Sequence, residues 1–209
     1  TSSGPVELIN EDFEDATVQY TTSVPEITDG SKDYFIRTNG SDISTGVIIN
    51  NIQGSSFFGA QDIDGYNGST GGIDAEQSLT FSNLDVTGIT NLLFSGLFAE
   101  DYPHNKWDNS DYLIVEYSFN DLDFTSILAI EAEEPGGDTS NNNPRIDTDF
   151  DGIGDGPAIT DVLTQYTAQF VNDIVTNPTE STSVSIRIRI KLNAGDEDIA
   201  IDNVIVTGN

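Results

Sequence analysis

Cysteine and methionine are absent from the 209 residues, Trp and His occur once each, and only seven residues are Lys or Arg. Each shortage removes a class of chemistry. Without cysteine the chain has no disulfide, no thiolate nucleophile and no Cys-ligated zinc. With a single histidine, a Ser-His-Asp arrangement would have to rest on His104, and no GxSxG elbow precedes it. Seven bases against 36 acids give a formal net charge of −29. Binding to nucleic acid draws much of its affinity from basic side chains that neutralise phosphates, so the composition argues against such a partner. The longest apolar runs, such as Val47–Ile49 and Asn91–Phe94, fall far short of the ~20 residues a membrane helix needs. No membrane insertion is expected. A chain that starts at Thr1 and holds no Met reads as a mature or excised piece of a larger protein.

What the chain does have is enough apolar material to fold. Hydrophobic residues make up 36%, including 11 Phe and 7 Tyr, which argues against disorder despite the charge. Period-two alternation dominates, in short runs separated by Gly, Asn, Asp and Ser. The clearest run is Val184–Leu192, apolar at every even position and polar at every odd one. Further strands are expected at Val6–Ile9, Tyr34–Thr38, Ser56–Gln61, Ser78–Phe81, Asn91–Phe98, Tyr112–Phe119, Ser126–Glu131, Thr164–Phe170 and Ile199–Val206. About ten strands with few helical signals predict an all-β, antiparallel two-sheet sandwich, with residues 1–209 as one domain. Long polar loops fall at Asp62–Asp74, Glu100–Ser110 and Glu133–Gly156, where binding functions tend to lie.

The sharpest motif lies in the last of these loops. Asp147, Asp149 and Asp151 stand at i, i+2 and i+4, followed by Gly152 and then Asp155. That spacing lets a loop wrap a hard cation with oxygen ligands, and the Gly permits the sharp turn. The motif resembles the DxDxDGxGD calcium loops of thrombospondin type 3 repeats and the first half of an EF-hand. It departs from the EF-hand at position twelve, where Ala158 replaces the bidentate Glu. Calcium is the expected cofactor.

A second set of motifs spans the whole chain. The opening Asn10-Glu11-Asp12-Phe13-Glu14-Asp15 and the closing Ile201-Asp202-Asn203-Val204-Ile205-Val206 resemble the first and last strands of galactose-binding-like jelly rolls. Many carbohydrate-binding modules of secreted bacterial polysaccharide-degrading proteins adopt this fold. The middle segment Asp111–Asp121 is similar to a strand and turn common in such secreted sandwiches. The resemblance implies a jelly roll with its terminal strands side by side. It also implies a structural calcium held by acids from both ends, here Glu14 and Asp202, with Asp198 as a further ligand.

Candidate ligand-binding residues fall in two places. The loop from Glu100 to Ser110 carries Tyr102, His104 and the only Trp, Trp107. An exposed aromatic there would stack on a sugar face, whereas an inward Trp107 would plug one end of the sandwich. Arg187, Arg189 and Lys191 line the wet face of one strand. They would form a groove for an anionic polysaccharide or pair across strands with Glu131 and Glu133, or with Glu116; the surplus of acids favours pairing. No lyase or nucleotide-binding motif occurs, and no acid sits in an apolar strand context that would make it a general acid. The expected function is a non-catalytic, calcium-stabilised carbohydrate-binding module of a secreted or cell-surface multidomain protein. Its partners would be a neutral or anionic polysaccharide and the parent protein's other domains. The alternative is a calcium-stiffened structural or adhesive domain of a large surface protein.

Overall fold

Strands form wherever apolar and polar residues alternate, and the ten expected runs all appear in the computed structural model. The model describes residues 4–66, 72–103, 106–119, 123–133, 142–171 and 182–209. In chain order the strands are β1 (Val6–Glu11), β2 (Thr21–Thr22), β3 (Ile27–Thr28), β4 (Tyr34–Thr38), β5 (Phe57–Gln61), β6 (Glu76–Asp85) and β7 (Asn91–Ala99). They continue with β8 (Tyr112–Phe119), β9 (Thr125–Ala132), β10 (Pro144–Asp147), β11 (Thr164–Val171), β12 (Ser183–Lys191) and β13 (Asp198–Gly208). The strands absent from the sequence reading are β2, β3 and β10, each four residues or fewer, too short to display a period.

The strands divide into two antiparallel sheets. One runs β11-β7-β13-β5-β4-β3, with β1 also paired to β13, and the other runs β10-β9-β8-β12-β6-β2. Eight of these strands, β11-β7-β13-β5 facing β9-β8-β12-β6, have the order of a jelly roll. The first and last strands do lie side by side. One edge of β13 pairs with β7 along most of its length. The other edge is shared, with Asp198–Ile201 on β5 and Val204–Gly208 on β1. A bulge marks the switch, between Asp202 and Ile205, where Asn203 takes a φ of 50°. Among the described residues, no helix is long and apolar enough to cross a membrane.

The core follows from the alternation. In β12, Val184, Ile186, Ile188 and Ile190 are fully buried, and Leu192 just beyond the strand joins them. Against them pack Phe13, Tyr20, Phe35, Phe58 and Phe81, with the Phe35 and Phe58 rings 4.8 Å apart. A second, smaller cluster lies away from this core. There Tyr34, Ile43, Phe57, Ala99, Leu163 and Ala200 pack with Val47, Ile49 and Ile52. The segment between β4 and β5 thus caps the outer face of the larger sheet, which explains why every residue of β5 is buried. It also brings backbone N–H groups to acids on that face. Phe58 touches Phe13, Tyr20 and Phe35. Replacing it with Ala is expected to cost about 3–5 kcal/mol, read from urea unfolding, and a loss below about 1 kcal/mol would contradict this packing.

Candidate metal centre

Strand β10 ends on Asp147, whose backbone position in the sheet fixes the start of the acidic loop. The Asp147 side chain is buried and its carboxylate accepts three loop N–H groups: Asp149 at 3.2 Å and Phe150 at 2.7 Å on Oδ1, and Gly152 at 2.9 Å on Oδ2. These bonds coil the chain around the carboxylate, with φ of 60° at Phe150 and 90° at Gly152. Gly suits the second of these because a Cβ is strained there. One carboxylate oxygen from each of Asp147, Asp149 and Asp151 lies within 4.8 Å of the others. The charge of Asp151 beside it pushes the Asp149 carboxyl up from its ordinary value. An all-oxygen set of this spacing fits a hard cation such as calcium.

Asp155 does not join the trio. Its carboxylate accepts the Thr148 N–H at 2.9 Å and the Thr148 hydroxyl at 2.8 Å, which ties the end of the loop to its start and holds Asp155 below the usual carboxylate range. The returning chain docks tightly on the sheet. A Cβ on Gly154 would meet the Glu131 carbonyl at 2.6 Å, so only Gly fits. Glu131, itself buried, is pushed up to about 7 by burial and by the Asp147 charge.

The predicted terminal pair is brought together, but without its third member. Glu14 accepts the N–H groups of Ser55 and Ser56 at 2.7 and 2.6 Å, and these bonds lower its pKa. Asp202 accepts the Gln53 N–H at 2.8 Å from the same segment, so both acids sit on residues 53–56. Asp202 is fully buried, its Oδ1 meets no donor, and burial pushes it up to about 6. Asp198 lies elsewhere. It stands four residues earlier on β13, opposite Gln61, where its Oδ1 accepts the Asp101 N–H at 2.8 Å. Four residues of strand separate it from Asp202 by about 13 Å, so the two cannot share one ion.

The sugar-binding assignments fare differently. Trp107 is fully buried and donates its indole N–H to the Asp198 carbonyl at 3.3 Å, so it fills the core and offers no stacking face. His104 lies outside the described residues. Tyr102 is 44% exposed. Arg187 and Arg189 both pair with Glu116, and Arg189 also reaches Glu76 at 2.9 Å. The Arg187 guanidinium stacks 3.8 Å over the Phe124 ring and that of Arg189 lies 5.4 Å from the Tyr112 ring. Lys191 continues the row opposite Tyr112 and Glu76. The stripe is therefore a cross-strand ion-pair ladder, with its two Arg side chains committed to acids.

Two features escaped the sequence reading. One is a cluster of Asp108, Asp111 and Glu197, each offering a carboxylate oxygen within 4.8 Å of the others. Burial pushes both Asp111 and Glu197 up from their ordinary values. The first two are close in sequence, but Glu197 is distant and only the fold joins them. The other is a cavity of about 350 Å³, lined by Lys32, Gln61, Asp101, Asp196 and Asp198 among others.

Neither a protein family nor a curated protein sequence matches the chain. Among solved structures it is similar to Fisc, a Stig cyclase from Fischerella sp. TAU solved with (3Z)-3-(1-methyl-2-pyrrolidinylidene)-3H-indole, at 13% identity over 98% of each chain and a TM-score of 0.53. It is also similar to the apo form of a cyclase from Fischerella sp., at 14% identity over 98% of this chain and 97% of that one, with a TM-score of 0.52. The K3 cleaved adhesin domain of Lys-gingipain from Porphyromonas gingivalis W83 aligns at 18% identity over 97% of this chain and 99% of that one, with a TM-score of 0.43. At these identities the likeness to the cyclases is one of fold, and fold does not carry activity.

The raised carboxyls set a sign for pH dependence. Asp202 at about 6 and Glu131 at about 7 lie above the unfolded value near 4. The folded chain therefore holds more protons than the unfolded one between about pH 4 and pH 7, and stability falls as pH rises through that window. Thermal melts in EDTA should drop from about pH 5 to about pH 8; a melting temperature that rises across this range would contradict the buried, uncompensated carboxyls.

Proposed function

We propose that this chain is a non-catalytic β-sandwich module, stiffened by calcium at the Asp147–Gly152 loop, that serves as a structural or adhesive unit of a larger extracellular protein. The observation that carries this reading is the convergence of the Asp147, Asp149 and Asp151 carboxylates on a loop already coiled by three N–H bonds to Asp147. Calcium supplies two positive charges and accepts six to eight oxygen ligands, and extracellular modules bind it weakly because it is abundant there. In the protein, Asp147 orders the loop, Asp149 and Asp151 present charge, and Asp155 closes the turn through Thr148.

Burial supports the non-catalytic part. The acids that burial raises furthest, Asp111, Glu131 and Asp202, are at most 8% exposed, which argues against an open acid–base site. A second reading, polysaccharide binding, is favoured by the 350 Å³ cavity. Asp101 in its wall is followed directly in sequence by Tyr102, an exposed aromatic.

Calcium at about 100 times its Kd adds about 2.7 kcal/mol to stability, equivalent to roughly 5–10 °C for a domain of this size. EDTA should lower the melting temperature of the wild-type protein by that amount and leave the D149N/D151N double variant nearly unaffected. Equal responses in the two proteins would overturn the assignment of the loop. For the second reading, Tyr102→Ala should weaken retention in polysaccharide affinity gels with no change in the melt; equal retention would leave the structural role.

A further inference from the structure

We infer that Asp108, Asp111 and Glu197 form a second divalent-cation site, taking calcium or a similar hard ion, which clips the two sheets together beside Trp107. The site is separate from the Asp147 loop, and either assignment stands or falls without the other.

The fold places these acids at a junction. Asp108 and Asp111 immediately precede β8 of the smaller sheet, and Glu197 immediately precedes β13 of the larger one. The same two segments are already joined by a hydrogen bond from the Asn193 side chain to the Ser110 hydroxyl at 3.3 Å. One carboxylate oxygen from each acid lies within 4.8 Å of the others, and about 5 Å is the widest separation two oxygens can have on one calcium ion.

The second observation is an orphaned atom. Asp111 is fully buried; its Oδ2 accepts the Asp108 N–H at 2.5 Å, and its Oδ1 meets no donor. Glu197, 1% exposed, accepts the Asn193 and Ala194 N–H groups through Oε2. Among the described residues no ion pair joins a base to either acid: the pairs join Lys106 to Asp196, Arg145 to Glu133, and Arg187 and Arg189 to Glu116 and Glu76. A buried carboxylate oxygen with no donor and no counter-charge calls for a proton or a cation. A third acid favours the cation, because one shared proton serves two carboxyls and leaves Asp108 still facing them. Asp108 is half-buried, which gives an ion a route in and leaves room for water to complete its shell.

The adjacent Trp107 is the only Trp in the chain and provides the readout. The full chain, stripped with EDTA, is titrated with terbium, and luminescence sensitised through Trp107 is followed, then competed with calcium. The wild-type protein should give saturable luminescence that calcium displaces. Asp111→Asn should weaken terbium binding at least tenfold, and Asp149→Asn should leave this signal unchanged. The melt of Asp111→Asn in EDTA should be no lower than that of the wild type, since a like charge has been removed; if that variant does not fold, Glu197→Gln serves in its place. Absent luminescence, or unchanged affinity in both variants, would overturn the site and leave Asp111 and Glu197 sharing a proton. Loss of the signal in Asp149→Asn alone would equally overturn it, by assigning the ion to the Asp147 loop.

Discussion

The structure depends on how 36 acids are accommodated around one apolar sandwich with seven bases to balance them. Exposed acids are settled by water, so the constraint bites only where the fold buries a carboxylate. Two solutions recur. Backbone N–H groups satisfy Glu11, which accepts from Phe13 at 2.9 Å and Gln19 at 2.7 Å, and they satisfy Asp147 in the same way. Arginine satisfies Glu116, which draws both Arg187 and Arg189 across the sheet. Asp111, Glu197 and Asp202 are answered only in part, and burial raises each of them.

These unresolved acids are not scattered. Asp202 lies on β13 and Glu197 directly before it, and β13 is the strand that links β7, β5 and β1. Its bulge at Asn203 breaks regular pairing where β5 gives way to β1, and the side chain of Asp202 is met there by the Gln53 N–H. In an antiparallel sandwich the outer face of a strand normally meets water, but here the segment between β4 and β5 covers part of it. Placing carboxyls on the outer face of this one couples the strand to whatever satisfies them, so the geometry of the sandwich and its ionic state are linked.

Most of the architecture was legible from alternation because period two survives in any strand longer than about five residues. β12 shows this most plainly, and β2, β3 and β10 escape for the same reason, being too short. The Asp147 loop was also legible, since its three carboxylates lie within five consecutive residues. Sites assembled from distant segments were not. Asp198 appeared to belong with Asp202 because both close the chain, but the strand rise of ~3.3 Å per residue separates them. Trp107 sits in a polar loop, yet its ring is drawn into the core next to Asp198, because its one polar atom finds a carbonyl there.

A fold shared with a cyclase does not by itself carry catalysis. A jelly roll provides a rigid scaffold, and catalysis requires an ionisable group both perturbed and reachable. Here the two properties are separated. Burial raises Asp111, Glu131 and Asp202, each at most 8% exposed, while the exposed Asp149 is raised chiefly by the charge of Asp151. Mutual repulsion among exposed acids is relieved by a cation, and a sealed acid at a sheet junction stabilises or loosens that junction according to its charge. Both arrangements link the rigidity of the sandwich to its ionic state.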